Sequence, residues 1–324
     1  MGKLKKLTEK FFKPKLEKAG GNGLYATLEE LTEQRRFVPY LKNRQFNHIV
    51  SSRAGDVKSA FKGRGMELEE IRSYAFGDDV RDIDWRVTAR RQTPYTKLFA
   101  EEKDREIYVV LDLSAHMVFG TRVELKSVAA AKIAALFGWL SLENRDRFGC
   151  LIYDGEETYV FKPQNSRAGM MAVLKKISEV SARILKQSYA GSLAKPLQIL
   201  QKTVKSRAAV FVVSDFNEFD EAARKIMATL AKKTQLYCVN VYDVLEDNAP
   251  KPGEYMAAKG NDRLVFETRT KAFRNAYHAY FAGKREALQA FCRRFSCRYI
   301  PVRTDEGPVY RLVLSREEVF RGES

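Results

Sequence analysis

The sequence predicts an α/β protein built on a mostly parallel sheet with helices on both faces. From Glu106 onward, continuous apolar runs such as IYVVLDLS and AAVFVVSDF alternate with segments of helical periodicity. Strands that are buried on both faces have this continuous apolar character. Asp154-Gly155 separates two strand-like runs, which indicates a hairpin and one antiparallel edge strand. Asp112 and Asp215 each end an apolar run, and ligands of such sheets bind beyond the carboxyl ends of the strands.

Each later element follows from its local pattern. Leu125, Ile133 and Leu140 belong to an apolar repeat at spacings of three and four, which predicts a helix directly after the first strand. The helices that follow are expected at SRAGMMAVLKKISEVSARI, SLAKPLQILQKTV, EAARKIMATLAKK and KAFRNAYHAYFAGKREALQAFCRRF, and the strands at RFGCLIYDG, ETYVFKP, AAVFVVSDF, QLYCVNVYD and CRYIPVRTDE. The aromatic spacing of AFRNAYHAYF fits the buried and boundary faces of a helix better than a base-stacking surface, so we favour a core position over a nucleic-acid contact.

The first hundred residues follow a different pattern. The N-terminus is lysine-rich, and YATLEELTEQRRFVPYL has helical spacing. Glycines and short alternating pieces then indicate strands and turns, and we expect this region to pack on the sheet domain. The predicted organisation is a lysine-rich helical region (1–60), a segment of short strands (61–104), the sheet domain (105–306) and a tail (307–324).

Composition narrows the function classes. The chain has 45% apolar and 30% charged residues, which is typical of a soluble globular protein. It contains no apolar stretch of membrane-spanning length and no signal-peptide core, so we expect a cytoplasmic protein. The basic N-terminus offers a contact with a membrane surface. A net charge of +16 makes nucleic acid a second candidate partner, although the basic residues are spread among acidic ones.

The segment RSYAFGDDVRDIDWRVTARR is dense in charge. Its aspartates suggest a metal-dependent hydrolase, since divalent ions need carboxylate oxygens. Nearly every aspartate, however, has an arginine close by in sequence, which favours bidentate ion pairs that use those oxygens. We therefore interpret the segment as a structural or docking network.

The string GMELEEIRSYAFGDDVRDIDWRVTARR, followed by YTKLFAEEKDREIYVVLDLSAHMVFG, resembles the hallmark of a bacterial family, domain of unknown function 58. The resemblance extends from about residue 63 to the C-terminus. The residues that carry it are Gly65, Glu67, Arg72, Tyr74, Gly77, Asp78, Asp79, Arg81, Ile83, Asp84, Trp85, Ala89 and Arg90.

The resemblance implies a doubly wound domain of the von Willebrand factor A type, which often carries a metal-ion-dependent adhesion site. Asp112 and Ser114 match the first two ligands of that site, and Asp215 matches the last. Ser192 falls where a threonine is expected. His116 stands in place of a ligating serine, so the resemblance implies a degenerate site.

The sequence allows three interpretations of His116. It hydrogen-bonds Asp112 or Asp215 and replaces the ion, or it borders a weak site completed by water, or it belongs to a soft-metal site. No cofactor is expected apart from weakly bound Mg²⁺ or Mn²⁺, and His116→Ser is expected to restore affinity for Mg²⁺.

The chain has no nucleophile elbow, Walker loop or dinucleotide fingerprint. The resemblance implies a non-enzymatic partner of a MoxR-type AAA ATPase that acts in the maturation of protein complexes. Nucleic-acid binding and metal-dependent hydrolysis are the alternatives.

Overall fold

The computed structural model describes residues 23–42, 66–75, 78–101, 105–217, 219–247, 249–259 and 262–306. These residues form two compact units. One contains residues 23–42 together with everything described after residue 104, and the other contains residues 66–101. The lysine-rich N-terminus and the predicted tail lie outside the described residues.

The described strands are β1 (Met66–Ser73), β2 (Tyr95–Glu101), β3 (Glu106–Asp112), β4 (Arg147–Tyr153), β5 (Thr158–Gln164), β6 (Ala209–Ser214), β7 (Gln235–Tyr242), β8 (Glu254–Lys259), β9 (Asp262–Glu267) and β10 (Arg298–Arg303). The described α-helices are α1 (Leu28–Glu33), α2 (Val38–Lys42), α3 (Trp85–Arg91), α4 (Lys126–Glu143), α5 (Arg167–Arg183), α6 (Ala194–Thr203), α7 (Glu221–Lys233) and α8 (Lys271–Arg294). Short 3₁₀ helices cover Gln34–Phe37, Val80–Asp82, Ala115–Met117 and Val244–Glu246.

Six strands form the main sheet in the order β10-β7-β6-β3-β4-β5. Every neighbouring pair is parallel except β4 and β5, which are antiparallel. The predicted α/β fold class and its antiparallel edge strand are therefore confirmed. Because β3, β6 and β7 run parallel, their carboxyl ends meet at one edge of the sheet.

The centre of the sheet is covered on both faces. All residues of β3 and β6 are buried, as their continuous apolar runs predict. Helix α4 is buried at every position from 126 to 141 except Lys132. Phe137 of α4 stacks on Phe211 of β6 at 4.2 Å between ring centroids, and Phe211 stacks on Tyr237 of β7 at 4.4 Å. These rings tie the helix layer to the middle of the sheet.

The segment 23–42 packs on the helix layer. The indole Nε1 of Trp139 in α4 donates to the carbonyl of Leu31 at 3.0 Å, and the amide of Ala26 donates to Ser181 Oγ at 2.9 Å. The half-buried Lys132 ammonium binds Glu124 at 2.5 Å and Glu30 at 3.5 Å. Residues 23–42 therefore bury part of α4 and belong to the sheet unit.

The β4–β5 hairpin turns at the predicted Asp154-Gly155 pair. Gly155 has φ of +97°, and a Cβ atom there would lie 1.9 Å from the carbonyl oxygen of Tyr189. Only glycine combines this backbone angle with such a close approach.

A second hairpin, β8–β9, is absent from the sequence-based prediction. Its strands, EYMAAK and DRLVFE, mix charged with apolar side chains, so their alternation is weak.

Helix α8 corrects the prediction for its aromatic stretch. Leu288, Phe291 and Cys292 in its second half are buried, but Tyr277 is half-buried and Tyr280 is 58% exposed. A helix of 24 residues is about 36 Å long, whereas a strand of six residues spans about 20 Å, so the sheet covers only part of the helix. AFRNAYHAYF is therefore a boundary surface and not core.

Residues 66–101 form a unit around the antiparallel pair β1–β2, with α3 between the two strands in sequence. The amide of Tyr74 donates to the carbonyl of Pro94 at 2.8 Å, and the amide of Asp84 donates to the carbonyl of Tyr95 at 2.8 Å. The strands and turns predicted for this segment are present.

Candidate functional site

Asp112 ends β3 at the carboxyl edge of the sheet and is 4% exposed. Its Oδ1 accepts from the Ser114 amide at 2.9 Å, and its Oδ2 accepts from the Ser214 hydroxyl at 2.5 Å. Burial raises the pKa of the Asp112 carboxyl, and the nearby charge of Asp215 raises it further. The structure thus brings Asp112, Ser114 and Asp215 to one place, and adds Ser214.

Asp215 follows β6 and has a buried partner that the sequence analysis missed. Its Oδ2 accepts from the ammonium of Lys126 at 2.6 Å, and its Oδ1 accepts from the Asn217 amide at 2.9 Å. The same ammonium donates to Glu246 Oε1 at 2.8 Å. The side chains of Lys126, Asp215 and Glu246 are 3%, 5% and 16% exposed. These three residues are called the Lys126 triad below.

The Lys126 triad connects three loops. Lys126 is the first residue of α4, Asp215 follows β6, and Glu246 lies in the 3₁₀ helix after β7. Burial lowers the pKa of Lys126, but the two carboxylates outweigh this effect and raise it above 10.5. The ammonium also lies 5.5 Å from the ring centroid of Phe119. The lysine is therefore held as a cation in a site with little water.

The sequence does contain a signal for Lys126. A cation at the first position of a helix is unfavourable, because the positive end of the helix dipole lies there. A lysine at that position, directly after the loop that begins at Asp112, therefore indicates a nearby anionic partner.

His116 and Ser192 lie in other contacts. His116 Nδ1 lies 3.1 Å from Asn217 Nδ2, and Asn217 Oδ1 accepts from the ammonium of Lys284. Ser192 Oγ donates to Asp220 Oδ2 at 2.5 Å and accepts from the Ala194 amide. Asp220 is the N-cap of α7, so Ser192 supports a helix start.

An open pocket adjoins these residues. Asp215, Asn217, Phe281 and Lys284 are among the residues that line it. The Lys284 ammonium contacts a neutral amide oxygen and lies 4.6 Å from the ring centroid of Tyr280. The carboxyl edge of the sheet therefore carries a rim of aromatic and basic side chains above the Lys126 triad.

The sequence profile of the family "Protein of unknown function DUF58" matches residues 70–287, about two thirds of the chain. The chain belongs to the DUF58 family. Uncharacterised proteins of Mycobacterium tuberculosis and Mycobacterium bovis are each 26% identical to it over 266 residues, which is 81% of this chain and 83% of theirs. The recognition made from the signature residues is thereby confirmed.

Solved structures similar to this DUF58 protein include von Willebrand factor A domains. BatB of Bacteroides thetaiotaomicron is 15% identical, with a TM-score of 0.40 over 68% of this chain and 100% of that one. The VWA domain of SpRpn10 is 12% identical, with a TM-score of 0.39 over 65% of this chain and 94% of that one. Similarity at this level carries no argument about activity.

The DUF58 signature residues have local structural roles. Arg72 Nη2 donates to Asp78 Oδ1 at 2.8 Å, and the Ala75 amide donates to Asp78 Oδ2 at 2.9 Å. The Ala75 amide and the Arg72 guanidinium lower the pKa of the Asp78 carboxyl. Asp84 caps α3 by accepting from two amides.

The other signature residues are distributed as follows. Glu67 lies in β1, Tyr74 follows it, Asp79 caps the 3₁₀ helix that contains Arg81, and Trp85, 70% exposed, and Arg90 lie in α3, while Gly65 and Gly77 fall outside the described residues.

The site residues do not fit a divalent metal ion as they stand. Both oxygens of Asp112 and of Asp215 accept hydrogen bonds, and Asp215 is already bound to an ammonium. An ammonium and a divalent ion that share one carboxylate lie about 4 Å apart and repel each other by about 8 kcal/mol at an effective dielectric constant of about 20. Among the described residues, no group of three or more His, Cys, Asp or Glu side chains is placed to hold a metal.

None of the helices in the described part of the chain is both long enough and apolar enough to cross a bilayer.

Proposed function

We propose that this protein is a non-enzymatic cytoplasmic adaptor that binds a protein partner at the carboxyl edge of its sheet. The observation that carries the proposal is the pocket beside Lys284. Tyr280 and Phe281 supply aromatic surface, and the Lys284 ammonium donates to the Asn217 side-chain oxygen and lies over the Tyr280 ring. Aromatic side chains are enriched in the cores of protein interfaces. The Lys284 ammonium beside them supplies charge complementary to an acidic side chain of a partner.

The proposed partner is a MoxR-type AAA ATPase, and the proposed role is the maturation of protein complexes. Membership of the DUF58 family supports this choice, because the resemblance in the signature segment implies such a pairing. The arginines and helix caps that engage Asp78 and Asp84 favour a structural role for that segment over metal-dependent hydrolysis.

Binding of purified proteins tests the proposal. The full chain is immobilised, and a MoxR-type ATPase from the same organism, with hydrolysis blocked by substitution, is added with ATP. We expect saturable binding that Lys284→Glu weakens by at least about tenfold, since charge reversal at an interface costs more than about 1.4 kcal/mol. Lys202→Glu is the matched control, because Lys202 lies in the last turn of α6, which leads to the opposite end of the sheet.

Equal weakening by both substitutions would contradict the proposed surface. Absence of binding to the ATPase would contradict the proposed partner.

Nucleic acid is the second candidate, favoured by the net charge of +16. Adding duplex DNA at rising salt concentrations separates the two. A binding constant for DNA whose logarithm falls steeply and linearly with the logarithm of the salt concentration would favour nucleic acid. Binding to the ATPase alone would favour the adaptor.

A further inference from the structure

The Lys126 triad has the composition of a cation site whose cation is supplied by the chain. Two carboxylates, from loops that follow β6 and β7, converge on one ammonium at 2.6 and 2.8 Å. All three side chains are largely shielded from water. Buried carboxylates require a compensating charge, and here the compensating charge is covalently attached to α4.

The hydrogen bonds of the surrounding groups agree with this arrangement. Glu246 uses its second oxygen, Oε2, to accept from the Asp243 amide at 2.8 Å. The Lys126 amide donates to the carbonyl of Phe119 at 2.8 Å, and the Phe119 ring centroid lies 5.5 Å from the ammonium. The lysine is thus oriented by its own backbone as well as by its two carboxylate partners.

We propose that the Lys126 ammonium is the built-in cation of this site, binding Glu246 and Asp215, the residue that matches the last ligand of the implied adhesion site. The three loops at the carboxyl edge then keep their arrangement without metal. Lys126 has this role whichever partner binds at the carboxyl edge of the sheet.

The sequence analysis predicts that His116→Ser restores affinity for Mg²⁺, but the contacts in the structure point to a different residue. His116 contacts Asn217, whereas Lys126 holds the carboxylate that a metal ion needs. Removal of the lysine side chain, and not replacement of His116, is therefore the change that opens a site for a cation. Mg²⁺ retains several waters and binds through one or two carboxylates, so Asp215 and Glu246 are sufficient ligands.

The test compares thermal unfolding and calorimetric titration with Mg²⁺ or Mn²⁺ for the wild type, Lys126→Ala and Lys126→Met, with a chelator as the blank. We expect the wild type to have the same melting temperature with metal as with chelator. Lys126→Ala is expected to bind the metal at least about tenfold more tightly than the wild type, with a rise in melting temperature. Lys126→Met loses stability but does not respond to metal, because its side chain fills the same space.

Two results would overturn the proposal. One is metal binding to the wild type as tight as to Lys126→Ala. The other is a Lys126→Met variant as stable as the wild type. If Lys126→Ala does not fold, Asp215→Asn decides: it keeps the shape of the acceptor and removes its charge, and unchanged stability there would contradict a charge-compensating role for Lys126.

The metal response of Lys126→Ala must also depend on the released carboxylate. We expect it to disappear when Asp215→Asn is added to the same variant. A response that persists in the double variant would locate the metal elsewhere and overturn the assignment.

Discussion

Replacement of Lys126 by methionine removes one charge from the Lys126 triad and keeps nearly the same volume. The side chains of Asp215 and Glu246, which are 5% and 16% exposed, would then lack their compensating cation. Loss of one partner from a buried ion pair costs about 3 to 5 kcal/mol, because the other charge stays desolvated. The total stability of a domain is about 5 to 15 kcal/mol, so the expected loss is a large fraction of it.

Urea unfolding measures this loss. Trp139 lies in α4 and is 3% exposed, so its fluorescence reports on the layer that contains Lys126. The 70% exposed Trp85 is replaced by phenylalanine to remove its background signal. Lys202→Met on the exposed surface of α6 is the matched control, and its expected effect is within about 0.5 kcal/mol.

The size of the loss decides whether the Lys126 ammonium is a compensating charge. A loss of unfolding free energy below about 1 kcal/mol for Lys126→Met would refute the assignment of a buried, compensating charge.

Four further predictions follow from single contacts. The pKa of the Asp112 carboxyl is raised above 3.8, so the free energy of unfolding of the wild type should fall as the pH rises above that value. Asp112→Asn lacks this carboxyl, so urea unfolding should show it gaining stability relative to the wild type over the same pH range. Gly155→Ala should lower unfolding free energy by about 1 to 3 kcal/mol, while Gly283→Ala, in a helix with nothing within 4 Å, should raise it by about 0.5 to 1 kcal/mol. Asp84→Ala should accelerate amide exchange at the start of α3, since it removes a cap worth about 0.5 to 2 kcal/mol. His116→Ser alone should leave calorimetric Mg²⁺ binding unchanged, because the ammonium still holds the neighbouring carboxylate; a gain in affinity would favour the sequence-based expectation.

Much of the sheet domain is readable in the sequence. The continuous apolar runs of β3 and β6 predict buried strands, and Asp154-Gly155 predicts the one antiparallel edge. The polar hairpin β8–β9 was missed because its alternation is weak, and the exposure of Tyr280 was missed because helical spacing does not show where a neighbouring sheet ends.

Only part of the candidate site could be predicted from the sequence. Asp112 and Asp215 are found from sequence, because an acid that ends a buried strand must lie at the carboxyl edge. The role of Ser192 was not readable, since its loop brings it to Asp220, a helix cap that matters only once α7 is in place.

By itself the sequence determined the succession along the chain of the six main-sheet strands and the helices between them, the edge where the acids collect and the membership of the DUF58 family. Only the tertiary structure decided that Lys126 compensates those acids. Its two partners lie 89 and 120 residues away along the chain. Periodicity reports which face of an element is buried, but the pairing of buried charges depends on which loops the folded sheet brings together.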